Sequence, residues 1–161
     1  MKKVIPVVFL AMLIPITTFS QDNKIPSSRN ELRVNLLTSV IGYPEINYER
    51  FFESNFGIGI AGAVSLEDAR ENYIRSYLIP YGRLYFGKNV CTGFYIEGNT
   101  GIINEHYDIS TIKFGIGVAV GFKFLARNNW VGDIYMGAGR IYWNSYVEAY
   151  PRVGISIGKR F

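Results

Sequence analysis

One short segment of the chain brings together residue types used in nucleophilic and metal-assisted catalysis. His106, the only histidine, lies in residues 104–110 (NEHYDIS), which also contain Glu105, Asp108 and Ser110. A serine, a histidine and a carboxylate can act as nucleophile, base and orienting group of a hydrolase, and Glu105, His106 and Asp108 could offer metal ligands. Zinc ligands usually come from two separated segments, however, and these residues crowd one predicted loop without rigid support. We expect a solvated polar loop here, and we predict no catalytic residue, metal or cofactor.

A second candidate site consists of charged residues of both signs that are spread along the chain. These are Glu49, Arg83, Glu97, Lys113, Asp133 and Arg152. If they faced a common interior, they could line a conductive path or a substrate site. An isolated charge in a water-poor interior is costly, so opposite charges on facing elements would instead pair with one another. We predict that these six residues form an interior ion-pair plug.

Whether these charges meet depends on a two-residue alternation that runs through the chain from Glu31 onward. In residues 112–124 every even position is Ile, Phe or Val, and every odd position is Lys, Gly or Ala. A strand with two different faces has this period, and a helix does not. The alternation is found, with varying regularity, in residues 31–40, 44–52, 56–65, 73–86, 93–102, 112–124, 130–140 and 150–161. The sequence therefore predicts an all-β protein with eight strands.

The connections between these segments alternate in length. Residues 53–55, 87–92 and 126–129 are short and polar, whereas residues 66–72, 103–111 and 141–149 are longer. Short turns at one end and longer loops at the other are typical of an antiparallel up-and-down barrel, with both termini at the short-turn end.

The composition restricts the class of protein further. The chain has 161 residues, of which 48% are hydrophobic, 16% aromatic and only 19% charged. This composition excludes a disordered chain, and the length allows a single domain. After residue 20 there is no run of about 18 apolar residues, the length a membrane helix needs. A compact apolar β protein and a membrane β-barrel remain.

The first residues have the pattern of a cleavable signal peptide. Two lysines precede an apolar run, and small residues lead to a predicted cleavage before Gln21. We therefore divide the chain into a signal peptide (residues 1–20), a polar N-terminal strap (residues 21–30) and a barrel (residues 31–161). Cleavage would lower the net charge from +4 to about +2, and we expect no nucleic-acid partner.

The two faces of the strands indicate which side is outside. One face carries large apolar residues, and the other is rich in glycine and alanine: Gly57, Gly59, Ala61, Ala63, Gly115, Gly117, Gly121, Gly137, Gly139, Gly154 and Gly158. Small residues cover a soluble surface poorly, but they suit the narrow interior of an eight-stranded barrel. We therefore expect the large residues to face lipid, as in a transmembrane barrel.

Aromatic residues near the strand ends favour the same interpretation, because rings with a polar edge are enriched at the headgroup level of membrane barrels. We predict one aromatic girdle at the short-turn end, including Phe51, Phe52 and Trp130, and another at the long-loop end, including Tyr142 and Tyr150.

The last strand carries a resemblance to a known group. Residues 150–161 (YPRVGISIGKRF) alternate and end on Phe161, with Ile155 and Ile157 on the apolar face. This segment resembles the C-terminal assembly signal of outer-membrane barrels, which the barrel-assembly machinery reads. With eight strands, residues 31–161 resemble the small OmpA/OmpX-type barrels of diderm bacteria, a porin-like class of envelope protein. The resemblance implies a cell outer-membrane location, with outer-membrane lipid and the assembly machinery as partners.

We therefore expect a non-enzymatic outer-membrane β-barrel with a closed polar interior, whose role is structural or is surface interaction through its extracellular loops. One alternative is an outer-membrane acyl hydrolase or transferase that modifies lipid A. Another is a soluble, periplasmic, lipocalin-like barrel that binds a ligand. The sequence does not indicate an oligomeric state.

Overall fold

A computed structural model describes residues 28–66, 74–105, 111–142 and 148–161 of the protein. The predicted signal peptide and most of the strap lie outside these ranges, as do His106, Asp108 and Ser110. Within these ranges no helix is long and apolar enough to cross a membrane.

The chain forms a closed barrel of eight antiparallel strands in sequence order, which confirms the predicted all-β up-and-down topology. The strands are β1 (Asn30–Asn35), β2 (Glu45–Phe51), β3 (Phe56–Val64), β4 (Ile74–Tyr85), β5 (Gly93–Glu105), β6 (Thr111–Leu125), β7 (Trp130–Tyr142) and β8 (Ala149–Arg160).

Pairing of β1 with β8 closes the barrel. Val34 lies opposite Ile157, and Arg33 lies opposite Gly158. The pairing continues to the chain end, where the backbone N–H groups of Asn30 and Phe161 each donate to the other residue's carbonyl, at 2.9 and 2.8 Å. The closed sheet therefore has no free strand edge.

The first strand is shorter than predicted. The pattern predicted a strand to residue 40, but β1 ends at Asn35 and a short helix, α1 (Leu36–Val40), follows. The Asn35 side chain accepts a hydrogen bond from the backbone N–H of Thr38, and the Ser39 hydroxyl donates to the Asn35 carbonyl at 2.6 Å. This local capping competes with strand extension.

The two faces of the strands differ as the alternation predicts. On β6, Ile116 and Val118 are 62% and 69% exposed, whereas Gly117 and Ala119 between them are buried. The same holds around the barrel, whose exposed apolar side chains include Leu32, Val34, Ile46, Ile58, Ile60, Leu78, Phe94, Ile96, Phe122, Ile134, Met136, Ile155 and Ile157. The barrel is therefore apolar over most of its outside, and most of its charged and small strand residues face inward.

Inward-facing glycines make room for aromatic rings on the neighbouring strand. The cross-strand partners are Gly59 with Tyr81, Gly121 with Tyr95, Gly154 with Tyr135, Gly139 with Tyr150, and Gly57 with Phe51. A Cβ atom at Gly59, Gly121, Gly139 or Gly154 would lie 2.1–2.5 Å from a tyrosine ring atom. Each of these four rings therefore occupies the space that a larger residue would need on the adjacent strand.

Two aromatic residues predicted to lie in the girdles are inside the barrel. Phe51 is 2% exposed and Tyr150 is 3% exposed. Phe51 follows the inward-facing Glu49 by two residues, and Tyr150 precedes the inward-facing Arg152 by two, so the strand period places both in the interior. The girdle prediction was wrong for these two because it rested on distance from the turn instead of on which face of the strand each residue occupies.

The glycine–aromatic pairs predict which glycine substitutions the barrel tolerates. Gly121→Ala should lower the free energy of unfolding by about 1–3 kcal/mol, because its Cβ would lie 2.5 Å from the Tyr95 ring and 2.7 Å from the backbone oxygen of Ile134. Gly98→Ala is the matched control, since Gly98 faces outward and a Cβ there would meet nothing within 4 Å. Urea unfolding of both variants in detergent micelles measures the difference, and equal midpoints would contradict this account of the packing.

Candidate functional site

The candidate site is a cluster of ionised side chains that fills the barrel interior. Ion pairs among the described residues join five carboxylates to five cations: Glu31, Glu45, Glu49, Glu97 and Asp133 with Arg33, Arg83, Lys123, Arg152 and Arg160. None of the ten is more than 4% exposed. The formal charges of this interior cluster cancel, which reduces the cost of burying each of them.

Glu49, on β2, pairs with three cations from three other strands. Its Oε2 atom lies 2.8 Å from Arg33 Nη2, 2.8 Å from Lys123 Nζ and 3.4 Å from Arg83 Nη1. The Tyr85 hydroxyl donates to its other oxygen. Glu49 thereby ties together side chains from β1, β2, β4 and β6.

Arg83, on β4, connects the acidic residues across the interior. Its Nε atom donates to Glu97 Oε2 at 2.7 Å, and its Nη1 atom donates to Asp133 Oδ2 at 2.8 Å. The guanidinium group also lies 4.3 Å from the Tyr95 ring centroid and 4.6 Å from that of Tyr81. The rings provide favourable cation–π contacts to the faces of the guanidinium group, which donates hydrogen bonds only in its plane.

Glu97 links Arg83 to a second group of polar residues nearer the long-loop end. The Nε atom of Arg152 donates to Glu97 Oε1 at 2.9 Å, and Arg152 Nη1 lies 3.2 Å from Glu45 Oε1. Glu45 also accepts hydrogen bonds from the hydroxyls of Tyr77 and Tyr135, at 2.6 and 2.7 Å. Glu97 therefore bridges two cations, and loss of its charge would leave both without their shared carboxylate.

At the short-turn end, the cluster holds a turn in place. Arg160 pairs with Glu31 at 3.1 Å, and its other hydrogen bonds reach the carbonyls of Val90 (2.9 Å) and Cys91 (3.2 Å). Cys91 is fully buried, and burial raises the pKa of its thiol to about 12. A thiol with so high a pKa is a poor nucleophile at neutral pH, so the sole cysteine has a packing role.

Two apolar groups lie beside the charges. Nearer the long-loop end the buried group is Ala61, Ile79, Tyr81, Ile103, Ile141 and Tyr150. Nearer the short turns it is Phe51, Tyr85, Cys91, Tyr95 and Tyr135.

Among the buried side-chain atoms that the structure describes, three lack a hydrogen-bond partner: Arg33 Nε, Arg83 Nη2 and Ser156 Oγ. This interior can hold strands together, and its carboxylates are already paired with cations and not poised for proton transfer.

Five of the six predicted plug residues, Glu49, Arg83, Glu97, Asp133 and Arg152, lie in this cluster. Lys113 lies on the inward register of β6 but is half-buried near the end of that strand. Lys123, ten residues further along the same face, contacts Glu49 and Glu31 instead.

Five members of the cluster were not among the predicted plug residues: Glu31, Arg33, Glu45, Lys123 and Arg160. Each of them lies an even number of positions along its strand from another inward-facing residue. The alternation was therefore a sufficient signal for their face, although it does not reveal which side chains pair.

The predicted assembly-signal residues are all outward or terminal. Ile155 and Ile157 are 48% and 46% exposed on β8, and Phe161 is 58% exposed. Of the catalytic and metal candidates, Glu105 is buried at the end of β5, whereas His106, Asp108 and Ser110 lie outside the described residues. In the part of the chain that the structure describes, no three His, Cys, Asp or Glu side chains are grouped as metal ligands.

Comparisons with known protein families, curated proteins and solved structures found no match to this chain.

The ion-pair network predicts that interior and surface carboxylates differ strongly in their effect on stability. Glu97→Gln should lower the free energy of unfolding by about 3 kcal/mol, because it leaves Arg83 and Arg152 with an uncompensated buried charge. Glu53→Gln, at an exposed carboxylate in the β2–β3 turn, is the control and should change stability little. Urea midpoints measure both.

A double variant separates loss of charge balance from loss of packing. Glu97→Gln combined with Arg152→Met removes one charge of each sign, so its destabilisation should be smaller than the sum of the two single effects. Simple additivity, or equal midpoints for Glu97→Gln and Glu53→Gln, would be inconsistent with a charge-balanced plug.

Proposed function

We propose that this protein is a non-enzymatic β-barrel that spans an outer membrane, and that its charged interior is a closed plug and not a channel. Its role is structural, or is surface interaction through the loops at the long-loop end. The observation that carries the proposal is the distribution of residues in the barrel, with apolar side chains outside and neutralised charges inside.

The outer surface favours lipid over water as its surroundings. Val118, Met136 and Ile116 are 69%, 67% and 62% exposed, and they belong to an apolar surface that continues around the barrel. Contiguous apolar patches of this kind are rare on soluble monomers, because each square ångström of exposed apolar area costs about 25 cal/mol. A lipid environment removes that cost. The same distribution argues against a soluble lipocalin-like barrel, whose apolar residues would line an internal ligand cavity.

The interior favours a structural role over transport. An eight-stranded barrel has little more internal space than its own side chains fill. Here that space is occupied by ion pairs, by the tyrosine rings over glycines, and by the two apolar groups. The filled interior supports the proposal that the protein is not an enzyme. The alternative, an enzyme that modifies lipid A, would depend on His106 and its neighbours as catalytic residues.

The remaining parts of the proposal rest on the resemblance to OmpA/OmpX-type barrels. A signal peptide over residues 1–20 would direct export. The exposed residues Ile155, Ile157 and Phe161 would then be available to the barrel-assembly machinery during insertion. Outer-membrane lipid would be the permanent partner.

Cell fractionation combined with heat-modifiability tests the location and the fold together. We expect the protein in the membrane fraction, and we expect the unheated sample to migrate in SDS gels as a compact species that shifts on boiling. A membrane barrel resists SDS because its closed ladder leaves no backbone group for detergent to compete for. Recovery in the soluble fraction would refute the proposal.

A pair of arginine substitutions on one strand tests whether the outer surface faces lipid. Val118→Arg, in the middle of β6, should destabilise the vesicle-inserted barrel by about 2–4 kcal/mol, whereas Ile112→Arg, near the strand end, should cost about 0–1 kcal/mol. Both side chains face outward. Unfolding by urea in phospholipid vesicles measures the difference, and equal effects would indicate that the middle of β6 does not lie in a hydrocarbon layer.

A further inference from the structure

The short-turn end of the barrel carries an excess of exposed cations. Five exposed basic residues lie in the turns and strand ends there, and we call them the basic collar: Arg29, Arg50, Lys88, Arg127 and Lys159. Among the described residues, the exposed carboxylate side chain at this end is Glu53, and no member of the collar forms an ion pair with a described residue. The collar is therefore separate from the interior cluster, whose cations are all paired.

Two members of the collar project from the outer wall on either side of one strand. Arg50 on β2 lies opposite Asn30 of β1, and Lys159 on β8 lies opposite Leu32 of β1. Adjacent strands are about 4.8 Å apart, and the two partner positions on β1 are about 7 Å apart along the strand, so the backbones at Arg50 and Lys159 are separated by roughly 12 Å. Their long side chains can converge on one group between them.

The surroundings of this pair are those expected at a membrane interface. Leu32 and Tyr48 form the outer wall beside the pair toward the barrel middle, and both are exposed. Trp130 on β7 lies opposite Lys159 and is 48% exposed. An amphipathic ring beside a cation, bordered by aliphatic surface, is suited to a headgroup above acyl chains.

We propose that Arg50 and Lys159 bind the phosphate group of an anionic glycerophospholipid, whose acyl chains lie along the wall formed by Leu32 and Tyr48. The proposal rests on the membrane location given under Proposed function and adds the lipid class and the residues that select it. Guanidinium and ammonium groups both bind phosphate oxygens through charge-assisted hydrogen bonds. A second copy of the chain is a poor occupant, because it would bring an identical set of positive charges to this rim.

The opposite end of the barrel offers a matched control. There the exposed cations of the described residues are Arg75 and Arg140, and Arg140 lies opposite Ala149, the residue after the exposed Glu148. The segment 67–71, between β3 and β4 in the sequence, contains Glu67, Asp68 and Glu71 with one arginine. Replacing Arg75 and Arg140 changes the net charge of the protein by the same amount as replacing Arg50 and Lys159. The comparison therefore separates a local site from a general electrostatic effect.

Tryptophan quenching by brominated lipids tests the site. Trp143→Phe makes Trp130 the sole tryptophan of the chain. This protein is inserted into phosphatidylcholine vesicles that contain a small fraction of brominated phosphatidylglycerol or, in parallel, of brominated phosphatidylcholine. We expect phosphatidylglycerol to associate about fivefold more strongly at Trp130 and the preference to weaken in high salt. Arg50→Gln with Lys159→Gln should reduce the preference to near one, whereas Arg75→Gln with Arg140→Gln should leave it unchanged.

The outcomes distinguish failure of this lipid site from failure of the proposed function on which it rests. A heat-modifiable, inserted protein that both lipids quench equally overturns the lipid site and leaves the membrane barrel intact. Equal loss of preference in the two double variants also overturns the site, since net charge alone would then explain the preference. Failure to insert into either kind of vesicle would overturn the proposed function itself.

Discussion

Five carboxylates and five cations share the interior of this barrel, and mutual neutralisation is the constraint on which the rest of the structure depends. A single unpaired ion in such a space costs several kcal/mol, so the register of the strands must bring every charge within reach of an opposite one. Glu49 contacts cations from three other strands, and Glu97 bridges Arg83 and Arg152. A slip of one strand by one residue would turn its charged side chains to the apolar surface and remove their partners. The ion pairs therefore specify the register as well as occupying the interior.

This constraint also accounts for the contrast between the two kinds of charge in the molecule. Interior cations such as Arg83 and Lys123 are fully buried. They are surrounded by carboxylates and lie over aromatic rings. Cations of the collar, such as Arg50 and Lys159, are exposed beside Trp130 and Leu32 and form no ion pair with the residues that the structure describes. Basic residues thus have two physical roles in this barrel, and the face of the strand on which each lies decides between them.

The sequence alone was enough to predict the strand number, the antiparallel order and the face of most side chains, because eight alternating segments are joined in turn by short connections. The sequence could not predict how far along the barrel axis each inward side chain lies. Lys113 and Lys123 lie on the same face of the same strand, and only the height of each along the barrel decides which one reaches Glu49. Local competition was also hidden, since Leu36 continues the alternation of Leu32 and Val34 while Asn35 ends the strand by capping α1. Phe51 and Tyr150 show that position near a turn does not outweigh the alternation.

The tyrosine rings that lie over inward glycines have a consequence for anyone who would convert this fold into a pore. Removing charges would leave the tyrosine rings in place: Tyr81 and Tyr150 pack nearer the long loops, and Tyr95 and Tyr135 pack nearer the short turns. Each ring rests against a strand with no side chain at that point. Where a ring is truncated, the facing glycine has nothing with which to refill the gap. The bore of an engineered channel is therefore adjustable at these four positions, one ring at a time, with the charged residues left free to set ion selectivity.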